Sequence, residues 1–200
     1  MNMDLQTIYT ADNYDARLVA GNMNSHSDLI EKSVKHACPL LIIRPPIVFY
    51  GKTIGQPRDV AFFSDESEGY YYSRKMMHSI PLSEDMKQLI SIVNQLFGGE
   101  YNGILINRYN DGNDYISAHS DDEKDIKNNC GVVSLSYGAT RKFRIRSKND
   151  KKIVADYDVK SGDIVEMQGA DFQGKITHEI PVQKKIKNVR YSLTFRKHSK

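Results

Sequence analysis

Apolar and polar positions follow two rhythms along this chain, and the change falls at Gly98-Gly99. Before it, two segments carry a helical period. In SDLIEKSVKHA, Ser27 to Ala37, the residues Leu29, Ile30 and Val34 recur at helical spacing behind the candidate N-caps Ser27 and Asp28, and Pro39 closes the run. From Ser83 to Phe97 the residues Met86, Leu89, Ile90, Val93, Leu96 and Phe97 form one stripe. Glu84 and Asp85 favour the first turn, and the glycine pair stops the helix. A stripe of Met, Leu and Phe of this kind packs on a sheet, so this helix is expected to be scaffold.

After Gly99 the pattern shortens to runs rich in Ile, Val, Tyr and Phe, at residues 104–109, 115–119, 131–137, 142–147, 153–159, 164–168, 176–182 and 189–196. Turn residues separate them. Short runs without intervening helices imply an antiparallel sandwich or barrel rather than βαβ units, and a jelly roll fits best, giving a fold class of α+β, mainly β. A length of 200 residues with no convincing linker predicts one domain. Within it, residues 1–40 are expected as an N-terminal extension, 41–98 as a covering segment with its supporting helix, and 99–200 as the jelly-roll core.

Composition removes several classes. A hydrophobic fraction of 40% and a charged fraction of 26% exclude disorder and membrane insertion of the whole chain. No apolar run approaches the roughly 18 residues of a spanning helix, and the first residues show neither a basic nor an apolar leader region, which predicts an intracellular protein of cytoplasm or nucleus. Cys38 and Cys130 are expected to be free thiols. The net charge of +3 hides an asymmetry: residues 141–200 carry 16 Lys and Arg against 7 Asp and Glu, while residues 1–140 carry 12 against 18. A basic third of this kind attracts phosphate backbones or is a solvated face, and composition leaves both open.

In a strand, residues two apart point to the same side, so His119 and Asp121 present an imidazole and a carboxylate together. His178, in ITHEIPV, supplies a second imidazole. Two histidines and one carboxylate leave coordination positions open, which suits Fe(II) binding both a cosubstrate and O₂; taken alone, a His-x-Asp pair is more often a hydrogen-bonded surface couple. In NVRYSLTFRK, Arg190, Ser192, Thr194 and Arg196 share one face, and Tyr191, Leu193 and Phe195 share the other. Arginines turned into a barrel mouth need anionic partners, and a dicarboxylate accepts their forked donors. Asn107 and Tyr109, again two apart, offer an amide and a phenol to the same ligand.

Together NRY, HSDDE, His178 and RYSLTFR resemble the AlkB family of Fe(II)- and 2-oxoglutarate-dependent dealkylating dioxygenases. SLSYGATRKFRIR (Ser134 to Arg146) and GDIVEMQGADFQGKITHEIP (Gly162 to Pro181) extend the likeness over residues 56–197. The resemblance implies a double-stranded β-helix, a form of jelly roll, with N-terminal helices and a nucleotide-recognition lid. It implies that His119, Asp121 and His178 bind iron at the catalytic centre, and that Asn107, Tyr109, Arg190, Ser192 and Arg196 hold or flank 2-oxoglutarate. Ser192 departs from the pattern, since Asn is common there in the family.

The segment QPRDVAFFSDESEGYYYSRK resembles the family's base-recognition region. It offers Tyr70 and Tyr72 to sandwich a flipped base, unless they belong to an edge strand, and Arg58 and Arg74 for phosphate or base contact. Glu123 matches an acidic position facing the base. Phe49 or Tyr50 is either a wedge in the vacated stack or a strand aromatic. The activity implied is oxidative demethylation of 1-methyladenine and 3-methylcytosine in DNA, and in RNA as well, releasing formaldehyde, succinate and CO₂. It would use Fe(II), 2-oxoglutarate and O₂ and act as a monomer on nucleic acid, with no membrane partner. Two other functions stay open: a nucleic-acid-binding module of the same fold without catalysis, and a related oxygenase acting on protein or lipid.

Overall fold

The computed structural model describes residues 3–49, 51–72, 75–122 and 131–198. The chain opens with β1 (Gln6–Thr10) and β2 (Arg17–Asn22), followed by α1 (Ser27–Ala37). Two small hairpins, β3 (Pro46–Phe49) with β4 (Lys52–Gly55) and β6 (Gly69–Tyr72) with β7 (Lys75–His78), flank β5 (Asp59–Phe63). Then come α2 (Glu84–Phe97), β8 (Gly103–Tyr109), β9 (Ile116–His119), β10 (Val132–Gly138), β11 (Arg141–Ser147) and β12 (Ile153–Val159). The chain ends in β13 (Asp163–Gln168), the short α3 (Phe172–Lys175), β14 (Ile176–Ile180) and β15 (Arg190–Arg196).

A seven-stranded sheet, in the order β1-β2-β13-β10-β15-β8-β5, is joined by a four-stranded one, β12-β11-β14-β9. This is the expected jelly roll. Both predicted helices form within a residue of their expected limits. The Ser83 side chain caps α2 by accepting from Met86 N at 3.2 Å, and Gly98, at φ 62°, adopts the left-handed turn that ends it.

The side-chain period of two sorts the large sheet. Ile104, Ile106, Val133, Leu135, Leu193 and Phe195 meet Ile30 and Val34 of α1 and Met86, Leu89 and Val93 of α2 in one core. Burying each such side chain contributes roughly 1.5–3 kcal/mol. Val165 and Met167 face the other way and form a second core with Phe143, Ile145, Phe172 and Ile176. The far end of that inner space is polar, because β8, β10 and β15 turn Asn107, Ser134, Ser136, Arg190, Ser192, Thr194 and Arg196 into it.

Two expectations about chain organisation change. The N-terminal extension joins the main sheet, since β2 runs antiparallel to β13 from Asn22↔Asp163 to Arg17↔Gln168 and carries β1 on its outer edge. Nor does the sheet begin at residue 99, because β5 pairs with β8 along Asp59↔Arg108 to Phe63↔Ile104. Both strands escaped the sequence reading for one reason: they are bound to distant partners, and their apolar positions do not alternate cleanly. Among the described residues no helix is long and apolar enough to cross a membrane.

Candidate metal and cosubstrate site

β9 and β14 pair with His119 directly opposite His178, so the register of one ladder brings together histidines far apart in sequence. Their rings lie 4.2 Å apart, centre to centre, and Phe143 of β11 stacks on His178 at 5.6 Å. Asp121 sits just past the end of β9 and is wholly buried. Its carboxylate lies 3.9 Å from His119 Nε2 and 3.7 Å from His178 Nε2. One ligand atom from each residue falls within 4.8 Å of the other two. The expected trio is assembled.

Protonation states favour a cation. The His119 Nδ1–H donates to the Ser117 carbonyl at 2.9 Å, which leaves the Nε2 lone pair facing Asp121 and His178. Burial pushes both imidazoles toward the neutral form, lowering His119 and taking His178 to about 3, with His119 adding to the effect on His178. Burial alone would raise the Asp121 carboxyl, but the charge and hydrogen bond of Arg196 lead the effects that hold it below the usual carboxylate range. Asp121 Oδ2 is buried with no hydrogen-bond donor among the described residues. A buried carboxylate oxygen left without a donor between two neutral imidazoles is the donor set a divalent metal requires.

Beside this trio the pocket is strongly cationic. It is lined by Arg58, Arg190 and Arg196 together with Asn107, Tyr109, Ser192 and Thr194. Arg196 is paired with the Asp121 carboxylate through Nη2 and Oδ1. Arg190 donates from Nε to Ser136 Oγ at 2.8 Å, its guanidinium lies 5.3 Å from the Tyr109 ring centre, and its Nη1 has no hydrogen-bond partner among the described residues. Burial lowers Arg190 to about 10, Tyr109 works against that shift, and Arg141 adds to it. Cross-strand register sets Arg190 opposite Tyr109 and Ser192 opposite Asn107. With Asp121 already engaged, this floor is suited to an anionic ligand with more than one carboxylate.

A family model described as the 2OG-Fe(II) oxygenase superfamily matches residues 21–196. The chain belongs to that superfamily. Fe(II), 2-oxoglutarate and O₂ are therefore its cofactor set, and His119, Asp121 and His178 are residues able to hold the iron. Among curated relatives, the bovine "DNA oxidative demethylase ALKBH2" is 32% identical over 162 residues, covering 74% of this chain and 55% of the relative. The human protein of that name is 30% identical over 155 residues, covering 74% and 59%. The rat "Alpha-ketoglutarate-dependent dioxygenase alkB homolog 3" is 32% identical over 156 residues, covering 72% and 51%. The AlkB resemblance is thus borne out, and the chain spans a little over half the length of these relatives. Among solved structures, OsALKBH1 superposes with a TM-score of 0.60 at 17% identity, over 94% of this chain and 100% of that one. A prolyl hydroxylase from Trichoplax adhaerens, in complex with a hypoxia inducible factor peptide, superposes with a TM-score of 0.58 at 14% identity, over 90% and 83%. These two show the oxygenase fold.

The remaining expected site residues are placed unevenly. Arg58, expected at phosphate or base, is buried in the oxygenase pocket with its Nε donating to Asn107 Oδ1 at 2.9 Å. Asn107 Nδ2 reaches Ser192 Oγ at 3.5 Å, so the serine meets the amide rather than extending as an Asn would. Tyr50, Arg74 and Glu123 lie outside the described residues, as do Cys130 and the side chains of Tyr70 and Tyr72.

The sequence reading missed Arg141, which is almost wholly buried. Its guanidinium donates to the carbonyls of Asp111 (3.0 Å), Asp114 (2.8 Å) and Pro181 (2.9 Å), and it lies 5.7 Å from the Tyr109 ring centre. Asp114, also buried, accepts from Asn110 N at 2.8 Å and from Arg44 Nη2 at 2.7 Å, so it shapes the turn between β8 and β9. No local pattern marks either residue, because both act on backbone brought in from other segments.

Proposed function

We propose that this oxygenase is an oxidative demethylase that removes N-linked methyl groups from 1-methyladenine and 3-methylcytosine in DNA, and in RNA as well. The observation that carries the reading is the juxtaposition of the His119–Asp121–His178 trio with an arginine-lined pocket in which the Arg190 Nη1 has no hydrogen-bond partner among the described residues. The names and identities of the mammalian relatives supply the substrate class.

Each part of the pocket has a task. Arg190, flanked by Tyr109 and steadied by Ser136, binds a cosubstrate carboxylate, and Asn107 with Arg58 closes the adjacent wall. Arg196 holds Asp121 ionised and oriented, and Phe143 fixes the His178 ring by stacking. Bound iron supplies the O₂-dependent oxidation that couples decarboxylation of 2-oxoglutarate to hydroxylation of the methyl group. The hydroxymethyl product then loses formaldehyde and leaves the unmodified base.

The small hairpins β3–β4 and β6–β7, in the stretch that holds Tyr50, Tyr70 and Tyr72, form the nucleotide-recognition lid in this reading, with Glu123 and Arg74 as further substrate contacts. The basic residues of 141–200 meet the phosphate backbone. In this reading the enzyme acts in the cytoplasm or nucleus. The test is 2-oxoglutarate-dependent formaldehyde release from oligonucleotides carrying 1-methyladenine or 3-methylcytosine. Release from methylated peptides and not from oligonucleotides would refute the substrate assignment. Tight oligonucleotide binding with no 2-oxoglutarate turnover would show a binding module instead.

A further inference from the structure

Asp121 lies beyond the β9–β14 ladder, whose last pair toward it is His119↔His178, so ladder hydrogen bonds do not hold it in place. Hydrogen bonds from other segments help to do so, and most converge on the short stretch of chain that runs from α3 into β14. The Asp121 main-chain N–H donates to Gln173 Oε1 at 2.8 Å, and Ser120 Oγ donates to the Ile176 carbonyl at 2.8 Å. Lys148 Nζ donates to the Gln173 carbonyl at 2.7 Å and to Asp122 Oδ2 at 3.3 Å, while its own N–H donates to the Lys175 carbonyl at 2.8 Å. Two residues after Ile176 the same stretch presents His178.

We propose that Gln173, anchored by Lys148, is a positioning residue for the iron site: it sets the Asp121 carboxylate against His178 and thereby sets metal affinity. The inference rests on the oxygenase reading. Asp121 is held from two directions, by Arg196 on its carboxylate and by Gln173 on its backbone. Remove the backbone restraint and the carboxylate stays with Arg196 while the main chain is free to swing, which carries Oδ2 away from His178. Gln173 never touches the metal, so its effect passes wholly through the Asp121 peptide. The Lys148–Asp122 ion pair is too exposed to contribute much by itself; its value lies in fixing the carbonyl of the residue that does the holding.

The experiment titrates Co(II), as a visible-absorbing stand-in for Fe(II), into the metal-free full chain without cosubstrate. It is run beside thermal unfolding of the same metal-free samples. Gln173→Ala is expected to weaken Co(II) binding on the order of 10- to 100-fold, the usual effect of removing a group that orients a metal ligand, with the unfolding temperature nearly unchanged. Gln173→Glu keeps an oxygen to accept the Asp121 N–H and is expected to bind Co(II) more tightly than Gln173→Ala. Lys148→Met, which leaves Gln173 in place, is expected to fall between wild type and Gln173→Ala, and it carries the test if Gln173→Ala does not fold. Wild-type Co(II) affinity in Gln173→Ala or in Lys148→Met would overturn the proposal, as would a fall in metal-free stability equal to the loss in binding. A wild-type chain that binds no Co(II) would instead refute the iron site itself.

Discussion

Replacing Arg190 by Met separates a ligand-binding arginine from a structural one, because the two roles predict opposite signs. Arg190 is 2% exposed, and its guanidinium makes a 2.8 Å hydrogen bond to Ser136 Oγ and leaves Nη1 without a partner among the described residues. If a cosubstrate carboxylate completes its hydrogen bonding, truncation removes one partner of a buried charge pair, a loss of about 2–5 kcal/mol. At about 1.4 kcal/mol per decade this weakens 2-oxoglutarate binding by roughly 30-fold to a few thousand-fold. For the protein without cosubstrate the sign reverses. Met fills the space without the desolvation of a buried charge, which is neutral or stabilising by about 1–4 kcal/mol, against about 1 kcal/mol for the lost Ser136 bond. The two quantities are read by anaerobic titration of 2-oxoglutarate into the Fe(II) protein, following its visible charge-transfer band, and by urea unfolding of the free protein. Unchanged 2-oxoglutarate affinity together with a stability loss above about 3 kcal/mol would refute the assignment.

Asp121→Ala is expected to abolish turnover and also to destabilise the protein by about 3–5 kcal/mol, since it deletes the acid that faces buried Arg196; His119→Ala should abolish turnover with little loss of stability, and unfolding curves of the two variants decide. Gly112→Ala places a Cβ 1.9 Å from the Gln183 carbonyl oxygen, so the turn between β8 and β9 must lift off the β14–β15 connection; a loss of about 1–3 kcal/mol is expected in denaturant unfolding. In the metal-free protein the His178 pKa of about 3 lies below the ordinary value of 6.5, so the unfolded chain takes up a proton that the folded one refuses. Stability should therefore fall as pH drops from 6.5 toward 3, and His178→Gln should flatten that slope in unfolding curves measured across the window.

The strand pattern and the chemistry of the site were legible early because both rest on a local rule. A period of two tells which face Arg190, Ser192, Thr194 and Arg196 share, and the same rule joins Asn107 to Tyr109; it also paired His119 with Asp121, although β9 ends at His119 and contacts outside the ladder place Asp121. The two faces of β15 needed nothing beyond its own seven residues; that the polar face is buried as well is decided by the fold. Arg58 shows where this stops: its segment suggested phosphate or base contact without placing it, and the antiparallel pairing of β5, which it precedes, with β8 lays it against Asn107 in the pocket. β1 and β2 escaped for a related reason, because their place at the sheet edge is decided by β13, more than a hundred residues away.

Sequence by itself therefore determined the two long helices and the strands after residue 99, which face of each is apolar, and which side chains can ligate a metal or bind an anion; these follow from backbone geometry within a few residues. Only the tertiary structure decided that His178 sits opposite His119, that Arg196 holds Asp121, that Arg141 spends its donors on three backbone carbonyls, and that Gln173 steadies a ligand from behind. Each of these is a meeting between segments, set by strand order and register. Register depends on how the whole sheet buries its apolar faces, and no short window of sequence contains that information.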